Sequence, residues 1–312
     1  MNPLSSKKVL IPVAIIVLLV IAGVVWNIRG AAKAPATTGK TPITTPAPKP
    51  VAQADYICNG DKTFNASFYE GTPIPVQPGE MPKPSGSVTL AFSDGETLTL
   101  NQTISADGAR YANSDDTFVF WSKGNGAQVL ENGVEKSHVG CMVYAKDPGG
   151  LTKVYHDATN GFTMRYPANN TVNATYVNQE FGPGKDIPGV KFLIPETMAT
   201  GTNLSASDTG VSIEFVTSTD CQANLFVDGA PKATTVTEAG TEFSVATATQ
   251  GAAGNRYEET AYAFPGSTPC VAVHYLVHST VLENYPPGTI TAFDHTALIK
   301  QFDAMRKTLI RR

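Results

Sequence analysis

The sequence predicts a multi-domain protein with an N-terminal transmembrane helix, a small antiparallel β-barrel of about eight strands, and an α+β domain whose C-terminal helix packs on an antiparallel sheet. Three patterns predict this fold: an apolar run near the start, closely spaced short strands over 55–146, and longer strands followed by an amphipathic stretch over 151–312. The chain of 312 residues exceeds the roughly 100–200 residues of one ordinary domain, which indicates two folded domains after the apolar run.

The apolar run is the first element. Residues 9–26 are uncharged and almost wholly apolar, and Ile28 extends the run past Asn27. This is near the length of about 20 residues that spans a bilayer core, so we expect an uncleaved single-pass anchor at 9–28 with a cytoplasmic N-terminus at 1–8. The alternative is a cleaved signal peptide, for which Ala32-Lys33-Ala34 is a weak cleavage site. The positive charges on both flanks are balanced and leave the orientation open.

Residues 29–54 follow as an expected linker, because they are dominated by Ala, Pro, Thr and Lys and carry few groups that could form a core.

The four cysteines then indicate the compartment. Cys58, Cys141, Cys221 and Cys270 are widely spaced and form no C-x-x-C motif, which predicts two disulfides in an oxidising environment. Of three possible connectivities, 58 with 141 and 221 with 270 keeps each bond inside one domain. The domains are therefore expected in the periplasm or on the cell surface.

Residues 55–146 predict the barrel. The stretch 87–92 alternates apolar and polar residues, turns through Ser-Asp-Gly-Glu and continues over 97–100, as in a β-hairpin. A second hairpin runs from 117–122 through Lys-Gly-Asn-Gly into 127–130. Many short antiparallel strands in one small domain are typical of a closed barrel or sandwich.

Residues 151–312 predict the α+β domain. Strand patterns occupy 161–166, 190–194, 211–216, 257–264 and 270–279. From 292 to about 310, apolar residues recur at three- and four-residue spacing, which predicts a helix docked on the sheet.

Several function classes are disfavoured by the sequence. The net charge of -4 and the lack of a basic stripe argue against a nucleic-acid partner. We find no G-x-S-x-G, phosphate-binding or H-E-x-x-H motif, so we expect no enzyme, no cofactor and no metal site. His274 and His278 would lie roughly 13 Å apart on one strand face, too far to share a metal, and are expected to be structural.

Two segments of the first domain differ from ordinary strand-and-turn patterns. They are 105–111, with the sequence SADGARY, and 120–124, with the sequence FWSKG. Alternation places one ring of Phe120 and Trp121 inside the barrel and the other near the surface, where it could pack beneath a loop or touch a partner. Each segment presents a polar tip from a rigid sheet.

With Tyr56-Ile57-Cys58 and the late Cys141, these segments resemble the membrane-bound and periplasmic inhibitors of C-type lysozyme. The resemblance implies an eight-stranded barrel whose loops enter the lysozyme cleft, where a lysine and a serine reach the two catalytic carboxylates. Lys123 matches the inhibitory lysine, and Gly108, Arg110, Tyr111 and Gly124 match its surroundings. Asp107 occupies the serine position, and Ser105 is a possible substitute donor.

Asp107 departs from the family pattern and would be repelled by two carboxylates unless one is protonated. The general acid of lysozyme has a pKa near 6, so its protonated form could donate a hydrogen bond to Asp107. Lys123 has a clear physical role, because an ammonium about 4 Å from a carboxylate gains on the order of 4 kcal/mol at an effective dielectric near 20, before desolvation. The excess of acidic residues over 55–146 would also attract a basic lysozyme.

The second domain loosely resembles PsbP-like domains of bacterial envelope proteins through its G-F-x-x-x-Y-P start at 161–167. That resemblance implies a fold and a binding or scaffolding role. The leading hypothesis is a membrane-anchored inhibitor of C-type lysozyme. The alternative is a surface adhesin or envelope scaffolding module that keeps the barrel without inhibition, which an exposed apolar patch away from Lys123 would favour. An enzyme hidden in the second domain is a third hypothesis.

Overall fold

The computed structural model describes residues 48–312, which form one compact unit. The expected cytoplasmic N-terminus at 1–8, the expected anchor at 9–28 and the expected linker up to residue 47 lie outside the described residues. Between residues 48 and 312, no helix has the length and apolar character needed to cross a membrane.

Eight antiparallel strands close into the expected barrel. They are β1 (Ala52–Ile57), β2 (Thr63–Tyr69), β3 (Ser87–Phe92), β4 (Thr97–Thr103), β5 (Ala109–Ala112), β6 (Phe118–Lys123), β7 (Gly126–Glu131) and, after the short β8 (Val134–Glu135), β9 (Cys141–Val143). β1 to β7 form a meander in chain order, and β9 inserts between β1 and β7. The barrel closes because β7 pairs with both β6 and β9. Because β1 begins at Ala52, residues 52–54 belong to the barrel and not to the expected linker.

The barrel interior is aromatic. Phe120 is fully buried and its ring contacts the rings of Tyr56, Phe64 and Tyr111. Alternation along β6 places Phe120 inward and Trp121 outward, which settles the choice that the sequence left open. A disulfide joins Cys58 to Cys141, directly after β1 and at the start of β9. It links the first and last strands, where a small core gains most from a covalent bond.

The second domain contains two sheets. β10 (Lys153–Asp157), β11 (Phe162–Tyr166) and β19 (Ile310–Arg311) form a small three-stranded sheet. The larger sheet has the strand order β12-β13-β14-β18-β17-β16-β15 and is antiparallel throughout. Its strands are β12 (Thr171–Asn178), β13 (Ile187–Leu193), β14 (Gly210–Val216), β15 (Thr234–Glu238), β16 (Thr241–Ala252), β17 (Asn255–Ala263) and β18 (Cys270–Thr280), with the short helix α1 (Glu196–Ala199) after β13 and 3-10 turns at Ala223–Leu225 and Leu282–Asn284.

The helix α2 (His295–Arg306) covers one face of the larger sheet, as predicted, and buries Leu298, Phe302 and Met305 in its core. Asp294 caps its N-terminus by accepting a hydrogen bond from the Ala297 N–H at 2.9 Å. The helix is shorter than the predicted 292–310, and β19 follows it. The reason is Thr308, whose hydroxyl donates to the Met305 carbonyl at 2.7 Å and accepts from the Arg165 N–H at 2.9 Å, which draws the chain toward β11.

The opposite face of the larger sheet carries a second, smaller core and a polar cluster. Phe226 and Val227 pack there against alanines of β16, β17 and β18. A disulfide joins Cys221 to Cys270 beside this core.

The small sheet connects the second domain to the barrel. The Thr163 hydroxyl donates to the carbonyl of Val143 in β9 at 2.9 Å. The Arg165 guanidinium donates to the carbonyls of Ala145 and Leu151 and lies over the Tyr144 ring, 5.1 Å from its centroid. These contacts explain why the two domains form a single compact unit.

Candidate functional site

Three connections lie at one end of the barrel. In a β-meander, alternate connections share an end, so the β2–β3 loop, the β4–β5 loop and the β6–β7 turn lie together. The second of these contains the first half of the segment 105–111, and the third begins at the last residue of the segment 120–124. The tip of the barrel, defined as the β4–β5 loop (104–108) and the β6–β7 turn (124–125), is therefore the candidate site.

The β6–β7 turn projects Lys123 into solvent. Lys123 is the last residue of β6 and pairs across the hairpin with Gly126. Gly124 takes φ of +55°, a conformation that glycine adopts without a steric penalty, and its side-chain position is open. The Lys123 side chain is 69% exposed, so it can reach a partner without any rearrangement of the hairpin.

The β4–β5 loop folds onto the outer face of β6. The Ser105 hydroxyl donates to the Asp107 carbonyl, and the Trp121 indole N–H donates to the same carbonyl at 2.8 Å. Gly108 has φ of +66°, and a Cβ at this position would lie only 2.4 Å from the Ser122 carbonyl oxygen. Glycine is therefore required at 108, and Trp121 packs beneath the loop.

Asp107 and Lys123 form an ion pair. A carboxylate oxygen of Asp107 lies 2.5 Å from the Lys123 ammonium nitrogen, with the Asp107 side chain 59% exposed. Hydrogen bonding and charge attraction from Lys123 hold the pKa of Asp107 below its usual range. Asp107 and Lys123 are thus in contact in the free protein, which residue spacing could not predict.

The remaining expected contact residues take supporting positions. Arg110 directs its guanidinium to the Thr103 hydroxyl at 2.7 Å and to the Asp116 carboxylate at 3.2 Å, at the other end of the β5–β6 hairpin. Tyr111 is only 7% exposed and contacts the Phe68 and Phe120 rings inside the barrel. In this structure Ser105, Asp107, Gly108, Lys123 and Gly124 come together at the tip, whereas Arg110 and Tyr111 stabilise the strand behind it.

The second domain contains a buried charged cluster on the sheet face opposite α2. His274 lies between Glu214, at 3.1 Å, and Glu259, at 3.3 Å, and all three side chains are at most 3% exposed. Burial alone would lower the pKa of His274, but the two carboxylates outweigh it and raise the pKa to about 10. Ser212 and Asn178 donate hydrogen bonds to Glu214. The cluster is closed to solvent, so we assign it a structural role.

His278 occupies the same strand but has different partners. Its Nδ1 lies 2.7 Å from Asp208, its Nε2 lies 3.0 Å from Asn255, and its ring stacks on Tyr257. Over residues 48–312, no group of three or more His, Cys, Asp or Glu side chains has the geometry to hold a metal ion.

The comparisons with known proteins concern the barrel. Residues 56–137 match the family model described as membrane-bound lysozyme-inhibitor of c-type lysozyme. A search of curated proteins found no match to the chain. The matched range contains the β4–β5 loop and the β6–β7 turn, ends before Cys141 and leaves out the second domain. The barrel is therefore similar to a family of inhibitors, and the tip carries part of the two motifs on which the sequence resemblance rests.

Proposed function

We propose that the protein is a cell-envelope inhibitor of C-type lysozyme that blocks the substrate cleft with the tip of its barrel. The observation that carries this proposal is the exposed side chain of Lys123, which lies at the end of β6 beside a two-residue turn, within the range that matches the inhibitor family. The cleft of lysozyme presents two carboxylates. A cation held at the end of a preformed hairpin binds such a site with little loss of backbone conformational entropy.

Binding requires that the cleft carboxylates replace Asp107 as partners of Lys123. Surface ion pairs are weak, so this exchange is feasible. Asp107 can then accept a hydrogen bond from the general acid of lysozyme when that acid is protonated, or move aside and leave Ser105 as the neutral donor. In either case Asp107 reduces affinity relative to a serine at the same position.

The membrane location is part of the proposal. An anchor at 9–28 and the linker after it would hold the barrel outside the cytoplasmic membrane, in the compartment where lysozyme attacks the cell wall. Both disulfides support an oxidising compartment. The second domain, for which we propose a PsbP-like fold, would serve in binding or scaffolding.

The test is inhibition of a C-type lysozyme by the full chain in mild detergent, measured with a soluble chitooligosaccharide substrate. We expect saturable inhibition by the wild type and a loss of about 10–100-fold in Lys123→Ala, as for removal of one partner of a contact that is charged and buried on binding. The control is Lys136→Ala, which removes an equal charge from the far side of the barrel. No inhibition by the wild type at micromolar concentration would reject the proposal and favour the adhesin or scaffolding alternative.

The alternative has limited support from the surface. The exposed apolar side chains Ile74 (46%) and Met81 (80%) lie on the β2–β3 loop. Since that loop shares the end of the barrel with Lys123, it forms no separate apolar patch away from the tip. A partner bound at the tip could therefore also contact these two side chains.

A further inference from the structure

The second domain contacts the β6–β7 turn, which directly follows Lys123. The Asn125 side-chain amide donates to the carbonyl of Arg311 at 2.7 Å, across 186 residues of sequence. The Asn125 carbonyl in turn accepts from the Val143 N–H at 2.9 Å. One residue of the turn is therefore held on both sides, by β9 of the barrel and by β19 of the second domain.

Arg312 continues from this contact onto the outer face of the hairpin. Its N–H donates to the Gly161 carbonyl at 2.8 Å, and its side chain lies over Gly161, with Arg312 Cβ 3.2 Å from the position that a Gly161 Cβ would take. Its Nε lies 3.6 Å from the point where a Cβ of Gly126 would be. The absence of side chains at Gly126 and Gly161 leaves the space that Arg312 occupies.

This position brings Arg312 close to Lys123. Gly126 and Lys123 are directly opposite each other on β7 and β6, and such residues point to the same face with Cβ atoms about 4.5–5.5 Å apart. Arg312 Nε lies beside the Cβ position of Gly126, which in turn is next to the Cβ of Lys123. Arg312 is exposed, so its guanidinium can act on the same solvent-facing surface as the Lys123 ammonium.

We propose that Arg312 is a second cationic contact residue for the anionic cleft of lysozyme, and that Asn125 is the positioning residue that joins the two domains at this surface. The proposal rests on the proposed inhibitory function. It gives the second domain a direct part in recognition, since the barrel alone would supply Lys123 but not its neighbouring cation.

The test compares Arg312→Ala, Arg312→Lys and Arg256→Ala as full-length chains, with inhibition constants and association rates measured at low and high salt. Arg256 is a matched control, because its side chain is 62% exposed but belongs to β17 and pairs with Glu258. We expect Arg312→Ala to weaken inhibition about fivefold, mainly through slower association at low salt, and Arg312→Lys to keep most of the affinity. Asn125→Ala should lower affinity without changing the salt dependence, because it removes the hydrogen bond between the β6–β7 turn and Arg311 and leaves every charge in place.

The outcomes separate the two proposals. If Lys123→Ala weakens inhibition as expected while Arg312→Ala and Arg256→Ala both behave as the wild type, the role of Arg312 is rejected and the inhibitory function stands. If the wild type does not inhibit, both proposals are rejected. Equal losses in Arg312→Ala and Arg256→Ala would show a general charge effect and also overturn the assignment to Arg312.

Discussion

Asp107 is the residue that decides how freely Lys123 can meet a partner. Its carboxylate is paired with the Lys123 ammonium in the free protein. In the proposed complex, the carboxylates of lysozyme replace it. We predict that Asp107→Ser strengthens inhibition by up to about fivefold, in keeping with the small free energy of an exposed ion pair. Inhibition constants of the two proteins, measured side by side, check this. Weaker inhibition by the serine variant would show that the carboxylate itself contributes to the complex.

Gly108 determines the shape of the β4–β5 loop. Alanine at this position would combine a positive φ with a Cβ 2.4 Å from the Ser122 carbonyl, so the loop must move away from β6. We expect Gly108→Ala to destabilise the protein by about 1–3 kcal/mol and to weaken inhibition. Gly95→Ala is the matched control, since Gly95 has φ of +94° but no atom within 4 Å of its Cβ position. Thermal unfolding and inhibition assays of both variants should separate the clash from the backbone strain.

Among the elements, the larger sheet of the second domain depends on its buried charged cluster. His274→Gln removes the cation that lies between Glu214 and Glu259, so both buried carboxylates lose their ion-pair partner. We predict a loss of about 3–5 kcal/mol in the free energy of unfolding. His295→Gln is the control, because His295 is half exposed and pairs only with Glu258, so its loss should stay below about 1 kcal/mol. Chemical denaturation measures both; similar values for the two variants would contradict a structural role for the cluster.

The same cluster predicts how stability varies with pH. Because the pKa of His274 rises from 6.5 to about 10 on folding, its stabilising contribution is complete below pH 6.5 and is lost as the pH rises toward 10. Burial and the neighbouring Glu259 raise the pKa of Glu180 from 4.5 to about 7. The stability of the fold therefore also decreases as the pH rises from 4.5 to 7, because Glu180 must ionise in a buried position. The melting temperature should therefore be higher at pH 6 than at pH 9. In His274→Gln the decline above pH 6.5 should largely disappear; an unchanged decline would exclude His274 as its source.

Elements with a clear local pattern could be predicted from sequence. The hairpins of the barrel, five strands of the second domain and the amphipathic helix follow from periodicities of two and of three to four residues. β12, β15 and β16 were not predicted. β12 forms one edge of the larger sheet, β15 forms the other edge, and β16 lies next to β15. All three strands expose much of their surface, which weakens the apolar alternation. The end of α2 was also missed, since it depends on the bond between Thr308 and Arg165, which are far apart in sequence.

Residues of the tip were only partly predictable. The sequence resemblance identified Lys123, Gly108 and Asp107, because local motifs carry them. The pairing of Asp107 with Lys123 and the support from Trp121 need two hairpins in register, and the contact of Asn125 with Arg311 needs two domains. No spacing along the chain encodes such contacts.

At the scale of the whole molecule, barrel and second domain should unfold together. Arg165 of the second domain donates to the Ala145 carbonyl and lies over the Tyr144 ring, in the segment that directly follows β9 of the barrel. We predict one calorimetric transition for the wild type and a destabilisation of about 1–3 kcal/mol in Arg165→Ala, with the onset of two separate transitions. Two resolved transitions in the wild type would show that the domains are energetically independent, contrary to the shared interface.

In the proposed complex, the tip of the barrel occupies the substrate cleft of lysozyme. The most direct measurement is a calorimetric titration of a C-type lysozyme with the full chain, with and without a short chitin oligosaccharide that fills the cleft. We predict that the oligosaccharide competes with the protein, so that the apparent dissociation constant rises in proportion to the oligosaccharide concentration, and that Lys123→Ala binds weakly in both conditions. Undiminished binding to a filled cleft would place the contact elsewhere on lysozyme and exclude a tip that blocks the cleft.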